Sequence, residues 1–436
     1  MLLEGEIKVK FILFILTLSL IYASDIVPGK PQQNPIAITN ATIHTISGDV
    51  IENGTVIFDK GVITAVGEQI QIPKAIEVID VKGKHVYPGL IVPYSTLGLI
   101  EIGSVRATND TSEVGPINPN AHAYTAYNMD SEIIPTVRSN GILIAHVVPQ
   151  GGLFAGTSSI MMLDGWTVED AALKKSAGVY LSWPSMTVYE NWWIKTSAAE
   201  QRKNIQKNIQ KIDDIIQDAR KYQKAKQQNP HIKKDIRWEA LLPILQKKAP
   251  LFINASEYKQ IEAAIAFSKL HDLRIVVVGG ADSWKLAHLL RENNIPVILQ
   301  AINSLPRRGE EDYDLAFRLP QILEKENVKF CLSGGTDWDN YWNIRNLPFQ
   351  AGTAIGYGLS KSTALRAITL SAAEILGIDE RVGSIEIGKD ATLIISSGDV
   401  LDIKSSHIEH AFIQGRKVDL DDRHKRLWRK YQQKYK

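Results

Sequence analysis

The feature that most constrains this chain is a change of rhythm along it. Both ends consist of short β-branched runs closed by turn signals. At the first end, Pro35-Ile-Ala-Ile-Thr-Asn, Thr55-Val-Ile-Phe-Asp and Val62-Ile-Thr-Ala-Val are punctuated by Gly48-Asp49, Asn53-Gly54 and Lys60-Gly61. Such pairs favour the positive φ of tight hairpins. From Gly383 to Val418 the pattern repeats, in Gly383-Ser-Ile-Glu-Ile-Gly388, Ala391-Thr-Leu-Ile-Ile-Ser and Ala411-Phe-Ile-Gln-Gly-Arg-Lys-Val. The middle behaves differently. Apolar runs such as Ile142-Leu-Ile-Ala-His-Val-Val, Leu251-Phe-Ile-Asn, Arg274-Ile-Val-Val-Val-Gly, Ile295-Pro-Val-Ile-Leu and Val328-Lys-Phe-Cys-Leu-Ser are interleaved with helical patterns over 258–271, 284–293 and 361–376. Strands buried on both faces and alternating with helices predict a parallel sheet covered by helices. Residues 91–381 have the length of a (β/α)8 barrel with insertions.

Three segments stand apart from this scheme. Lys8 and Lys10 precede an apolar stretch from Phe11 to Ile21, followed by small residues. That order predicts a signal peptide over 1–24, export to the periplasm, and no stable membrane insertion after processing. The stretch is too short to span a bilayer, which takes about 20 residues; a first core element and an uncleaved anchor are the alternatives. Over 199–228, Ile205, Ile209, Ile212, Ile215 and Ile216 form a stripe at helical spacing, the mark of a long inserted surface helix. Residues 421–436 predict a C-terminal basic helix bearing Leu427, Trp428 and Tyr431, docked on the chain's own surface rather than on a membrane.

Charge and cysteine content exclude other classes. A net charge of +2 gives no support to nucleic-acid binding. A single cysteine, Cys331, rules out an internal disulfide and a cysteine-based zinc knuckle, and its apolar strand makes it a core residue. Gln150-Gly-Gly-Leu-Phe lacks the lysine of a phosphate loop.

Gly83-Lys-His-Val-Tyr-Pro-Gly-Leu-Ile91 resembles the start of the barrel in the amidohydrolase superfamily, the imidazolonepropionase-like and secreted members in particular. Ala364-Leu-Arg-Ala-Ile-Thr-Leu, Ala373-Glu-Ile-Leu-Gly377, Val382-Gly-Ser-Ile-Glu-Ile-Gly-Lys-Asp-Ala391 and Ala411-Phe-Ile-Gln-Gly415 are similar to its closing segment, and Ile38-Thr-Asn-Ala-Thr-Ile with Val62-Ile-Thr-Ala-Val-Gly67 to its opening strands. The resemblance runs from about 36 to 420. It implies an α/β fold: a TIM-like (β/α)8 barrel over 91–381, with a small composite β-sandwich formed by both chain ends, 36–90 plus 382–420. It also implies a metal-dependent hydrolase acting on non-peptide carbon–nitrogen bonds, with one or two divalent ions, zinc foremost, activating water.

The residues at the implied metal site depart from that pattern. Where the family carries His-x-His after Pro-Gly-x-Ile-Asp, this chain has Val92, Tyr94 and Thr96. Asn254 stands at the next histidine position and Gly279 at the one after. Neutral hydroxyl and amide groups are poor zinc ligands. Cys331-Leu-Ser-Gly-Gly-Thr-Asp337 keeps the family's aspartate, so Asp337 is the implied general base and metal ligand, with His146 the one nearby histidine at a strand end. Gly151 and Gly152 are expected to line the pocket at the barrel mouth, as are Trp338 and Tyr341, which follow Asp337. Two readings stand: a hydrolase with a reduced metal site, holding at most one divalent ion, or a pseudoenzyme that binds a small molecule or a partner. Expected partners are a small-molecule ligand, a second copy of the chain, or an intact amidohydrolase relative.

Overall fold

The structure, a computed structural model, describes residues 26–74, 76–190, 192–335 and 340–435. The signal segment over 1–24, Asp337 and Trp338 lie outside the described residues.

Five strands open the chain: β1 (Ile36–His44), β2 (Val50–Asp59), β3 (Val62–Gly67), β4 (Glu77–Asp80) and β5 (His85–Pro88). Eight follow in the middle: β6 (Leu90–Ser95), β7 (Ile142–Val147), β8 (Phe154–Met162), β9 (Ala172–Ser182), β10 (Leu251–Ala255), β11 (Ile275–Gly279), β12 (Val297–Gln300) and β13 (Phe330–Ser333). Three close it: β14 (Leu393–Ser396), β15 (Ile408–Ile413) and β16 (Arg416–Lys417).

The two ends share one sheet in the order β16-β15-β14-β5-β1-β2-β3, with β4 also on β1. Phe58 on β2 and Phe412 on β15 lie four strands apart in that order, yet their ring centroids are 5.2 Å apart. Four flat steps would separate them by roughly 19 Å. The sheet therefore curls over its own core of Ile38, Ile43, Phe58, Val86, Leu393 and Phe412.

The middle strands form the second sheet in chain order, β6 to β13. Its two edges meet where the Ser333 hydroxyl donates to the Tyr94 carbonyl at 2.9 Å, giving a nearly closed barrel. Side chains alternate between two cores. Ile91, Tyr94, Ile144, Tyr180, Phe252, Val276, Val278, Ile298 and Cys331 fill the interior. Leu251, Ile253, Ile275, Val277, Val297, Leu299, Phe330 and Leu332 point outward under the helices. This period of two is the strand's own geometry.

One expectation needs correction. The middle sheet is not wholly parallel: β8 runs antiparallel to both β7 and β9. The physical reason is Gly151 and Gly152, at φ 84° and 68°. They turn the chain straight back after β7, so a hairpin replaces the helical crossover that a parallel neighbour requires.

The inserted helix α1 spans Ala198–Gln228 and begins at Ser197, whose hydroxyl accepts from the Glu200 N–H. It buries Ile212, Ile215, Ile216, Ala219 and Tyr222 against the barrel's outer core. Among the described residues, no helix is long and apolar enough to cross a membrane.

Candidate functional site

Barrel sites form where strands end and loops begin, at the C-terminal edge. Parity along each strand decides what reaches that space. Asn254 shares the inward parity of Phe252, and Gln300 that of Ile298. His146 shares the parity of Ile144 and stands 4.7 Å from the Phe252 ring, centroid to centroid. Gly279 does not: the inward residue of β11 there is Val278. A Cβ on Gly279 would lie 2.3 Å from Ser256 Oγ, and its φ is +100°. No histidine fits that position without rebuilding the strand end.

The remaining positions of the implied metal site are occupied by committed side chains. Tyr94 is buried in the interior core, where it receives a hydrogen bond from Gln150 Nε2 at 3.3 Å and stands 5.8 Å from the Tyr180 ring. Thr96 Oγ1 donates to Asn340 Oδ1 at 2.6 Å, and both residues are buried. His146 is buried with both ring nitrogens engaged: Nδ1 lies 2.7 Å from the Pro93 carbonyl and Nε2 lies 2.7 Å from Ser158 Oγ. Burial pushes its pKa down to about 4, so the ring is neutral near pH 7. A carbonyl only accepts, so Nδ1 carries the proton and donates to Pro93, and the unprotonated Nε2 faces the Ser158 hydroxyl, whose single proton also reaches the Gly178 carbonyl at 3.0 Å. Nε2 is thus enclosed against Ser158 rather than aimed at the barrel mouth's cavity.

Other oxygen donors are also taken. Asp282 is paired with the Arg308 guanidinium and accepts from the Tyr258 N–H at 2.9 Å. Burial opposes its charge, yet these partners hold its carboxyl below the usual range. Among the described residues no three His, Cys, Asp or Glu side chains converge as a metal centre would require. Catalytic zinc takes about three protein ligands and a water. The described donor set does not fit such a site.

What the mouth does offer is a cavity of about 250 Å³ at the ends of β10, β11 and β12. Ala281, Ile302, Leu305 and Leu319 give it an apolar wall; Ser256, Gln300, Arg307 and Glu311 supply its polar groups. Glu311 is held by Arg308 at 2.6 Å and accepts from the Arg307 N–H at 2.7 Å. Gln300 is different. Among the described residues its Nε2 is buried with no hydrogen-bond partner, a donor facing an unmet cost. Of the residues singled out from sequence, Gly279 lines this cavity, whereas Gly151, Gly152 and Tyr341 do not. Gly151 and Gly152 are exposed in the β7–β8 hairpin, against Ser112 and Pro116. Tyr341 stands beside Gly103, whose added Cβ would lie 3.6 Å from its hydroxyl. Gln300 was missed, although a polar residue ending the run Ile295-Pro-Val-Ile-Leu is the signal for a side chain at the mouth.

A TIM-like barrel with its cavity at the C-terminal strand ends, joined to a sheet drawn from both chain ends, defines the class of protein. The profile of the amidohydrolase family matches residues 318–418. An amidohydrolase structure from Thermotoga maritima superimposes with a TM-score of 0.77 at 26% identity, over 88% of this chain and 99% of that one. The amidohydrolase tasK of Hapsidospora irregularis is 20% identical over 400 residues, 82% of this chain. That match takes in only 39% of the tasK protein, so the chain spans well under half of its curated relative. An adenosine deaminase structure from Xanthomonas campestris with bound zinc superimposes with a TM-score of 0.50 at 16% identity, over 93% of this chain and 100% of that one. The profile match, the curated relative and the Thermotoga maritima structure together support placing the chain in the amidohydrolase superfamily.

Proposed function

We propose that this chain is a superfamily member whose catalytic metal centre is dismantled and whose barrel mouth is kept to bind a small molecule. The observation that carries the reading is the Gln300 amide: a buried donor without a partner among the described residues, on the wall of a cavity of about 250 Å³. An unmet donor of this kind costs about 1–3 kcal/mol, a cost a ligand acceptor removes. The ligand class that fits is compact and largely apolar, with one carbonyl or comparable acceptor for Gln300 and a hydroxyl-tolerant edge near Ser256. Neutral, hydrogen-bonded side chains at Tyr94, Thr96 and His146 support the loss of metal chemistry.

A second reading rests on Asp337, which keeps the family's aspartate in sequence. On it the chain hydrolyses a non-peptide carbon–nitrogen bond, with Asp337 as base and a single divalent ion. Elemental analysis separates the two. Protein purified without chelators, as wild type and as Asp337→Ala, is expected to hold no stoichiometric zinc, manganese or iron. Close to one metal per chain, lost on the substitution, overturns the first reading and justifies screening cyclic amides. A non-catalytic barrel also suits pairing with an intact, metal-bearing relative after export; co-elution of the co-expressed pair in size exclusion is the expected sign, and separate peaks refute it.

A further inference from the structure

The segment after the family match carries one more helix. The match ends at residue 418, and helix α2 (Arg423–Gln432) begins beyond it. No residue of α2 is buried. The helix is nonetheless fixed in place. The Asp422 carboxylate caps it by accepting from the Lys425 N–H at 3.0 Å, Arg426 pairs with Glu132 at 2.6 Å, and Arg429 pairs with Asp421 at 2.6 Å. These contacts use the helix's polar side. They leave Trp428, Tyr431 and Tyr435 exposed by 63%, 57% and 82%, with Leu427 beside them. His424, Trp428 and Tyr431 recur at i, i+4 and i+7, which places them in one stripe along the helix, and Tyr435 follows just past its end.

Charge is concentrated in the same place. Residues 416–436 hold nine Lys or Arg against three Asp, while the rest of the chain holds more acidic than basic residues. α2 itself contains five Lys or Arg and no acid. Among the described residues, Arg423, Lys430 and Lys434 form no ion pair. Lys430 and Lys434 lie over the Tyr431 and Tyr435 rings at 5.9 and 5.6 Å, and an aromatic stripe flanked by cations without a carboxylate partner, on a fixed, exposed helix, is the pattern of an interfacial helix. Tryptophan and tyrosine favour a boundary with one dry side and one wet side. A protein partner's interface core selects against lysine, whereas an anionic headgroup layer attracts it.

We propose that α2 docks this protein peripherally on an anionic phospholipid bilayer, with Trp428, Tyr431 and Tyr435 at the headgroup boundary and Arg423, Lys430 and Lys434 on the phosphates. The Arg426–Glu132 pair seats the tail helix on the chain's own surface, and that docking leaves the aromatic stripe uncovered. The acidic remainder of the chain orients the molecule so that this face approaches first.

The test is sedimentation of the full chain with vesicles of phosphatidylcholine, alone or mixed with phosphatidylglycerol. Binding is expected only to the mixed vesicles and is expected to weaken as salt is raised. Arg423→Gln with Lys430→Gln is expected to lower affinity roughly thirtyfold, from about a fivefold contribution per surface cation. Trp428→Ser with Tyr431→Ser is expected to abolish binding. All four side chains are exposed, and unchanged thermal melting verifies folding; a chain ended at Asp421 serves as the second variant. Absence of vesicle binding, equal binding to neutral vesicles, or wild-type binding by every variant overturns the proposal. So does retention by a soluble acidic protein without retention by vesicles.

Discussion

Gln300 carries a prediction in which stability and binding move in opposite directions. Replacing it with methionine removes a buried donor that has no partner among the described residues and adds apolar contact in a mostly apolar cavity. Gln300→Met is expected to raise unfolding free energy by about 1 kcal/mol in urea melts, and to abolish ligand-induced thermal shifts. A loss of stability would mean the amide is satisfied and the cavity is not a binding site. His146 makes a second prediction, in pH. Its folded pKa lies at about 4, from burial first, against 6.5 when unfolded. The neutral ring stabilises the fold fully above pH 6.5. As pH falls from 6.5 toward 4 the unfolded chain takes up a proton that the folded chain refuses, and stability drops by about 1.4 kcal/mol per unit. His146→Asn is expected to flatten that slope in melts between pH 7 and 4.5, leaving the part due to His44, also pushed down to about 4 by burial and by His85. An unchanged slope would place the titration elsewhere. At this scale the sequence was informative about which ligands are absent, since Tyr94, Thr96 and Asn254 are read directly. It was silent on what replaces them: the His146–Pro93 and Thr96–Asn340 bonds join residues 53 and 244 positions apart.

Elements were legible wherever period alone decides them. The inward and outward alternation in β10 to β13 follows from apolar runs buried on both faces, and α1 follows from its isoleucine stripe. The direction of β8 was not legible, because an apolar run carries no sign of the direction in which it runs. Only the positive φ at Gly151 and Gly152 decides that, and Gly-Gly serves a pocket loop as well as a hairpin. Gly279 ends β11 under a comparable constraint, and there the cost can be tested. At φ +100°, with an added Cβ placed 2.3 Å from Ser256 Oγ, Gly279→Ala is expected to destabilise by about 2–3 kcal/mol and to distort the cavity floor. Gly309, whose Cβ would meet nothing within 4 Å, is the control: Gly309→Ala is expected to leave the melting transition in place. Equal melts for both variants would show that β11 relaxes freely at its end.

A buried ion pair, with Arg416 3.7 Å from the same aspartate, sits where the two bodies of the molecule meet, and its energetics belong to the whole fold. Arg138, on the short helix Ile133–Arg138 before β7, donates to Asp164 at 3.1 Å and to the Leu163 carbonyl at 2.8 Å, just after β8. The same aspartate accepts from the Gly29 N–H at 3.2 Å, and its carbonyl accepts from Arg416 of β16 at 3.2 Å. Barrel, N-terminal segment and composite sheet thus converge on residues that are nearly solvent-free: the Arg138 and Asp164 side chains are 3% and 1% exposed. Burial pushes the Asp164 carboxyl up and the Arg138 guanidinium down, so each ion resists the environment and depends on the other. Removing one partner leaves a buried charge without compensation. Asp164→Leu is therefore expected to cost about 3–5 kcal/mol, with hydrogen exchange speeding first in β16 and around Gly29. Removing both need not cost twice. Arg138→Leu with Asp164→Leu is expected to recover part of the loss, because the orphaned guanidinium goes with it and apolar volume replaces a desolvated pair. Additive losses in that double-mutant cycle would mean that Arg138 and Asp164 act independently, and that the junction between barrel and sheet is held by apolar packing alone.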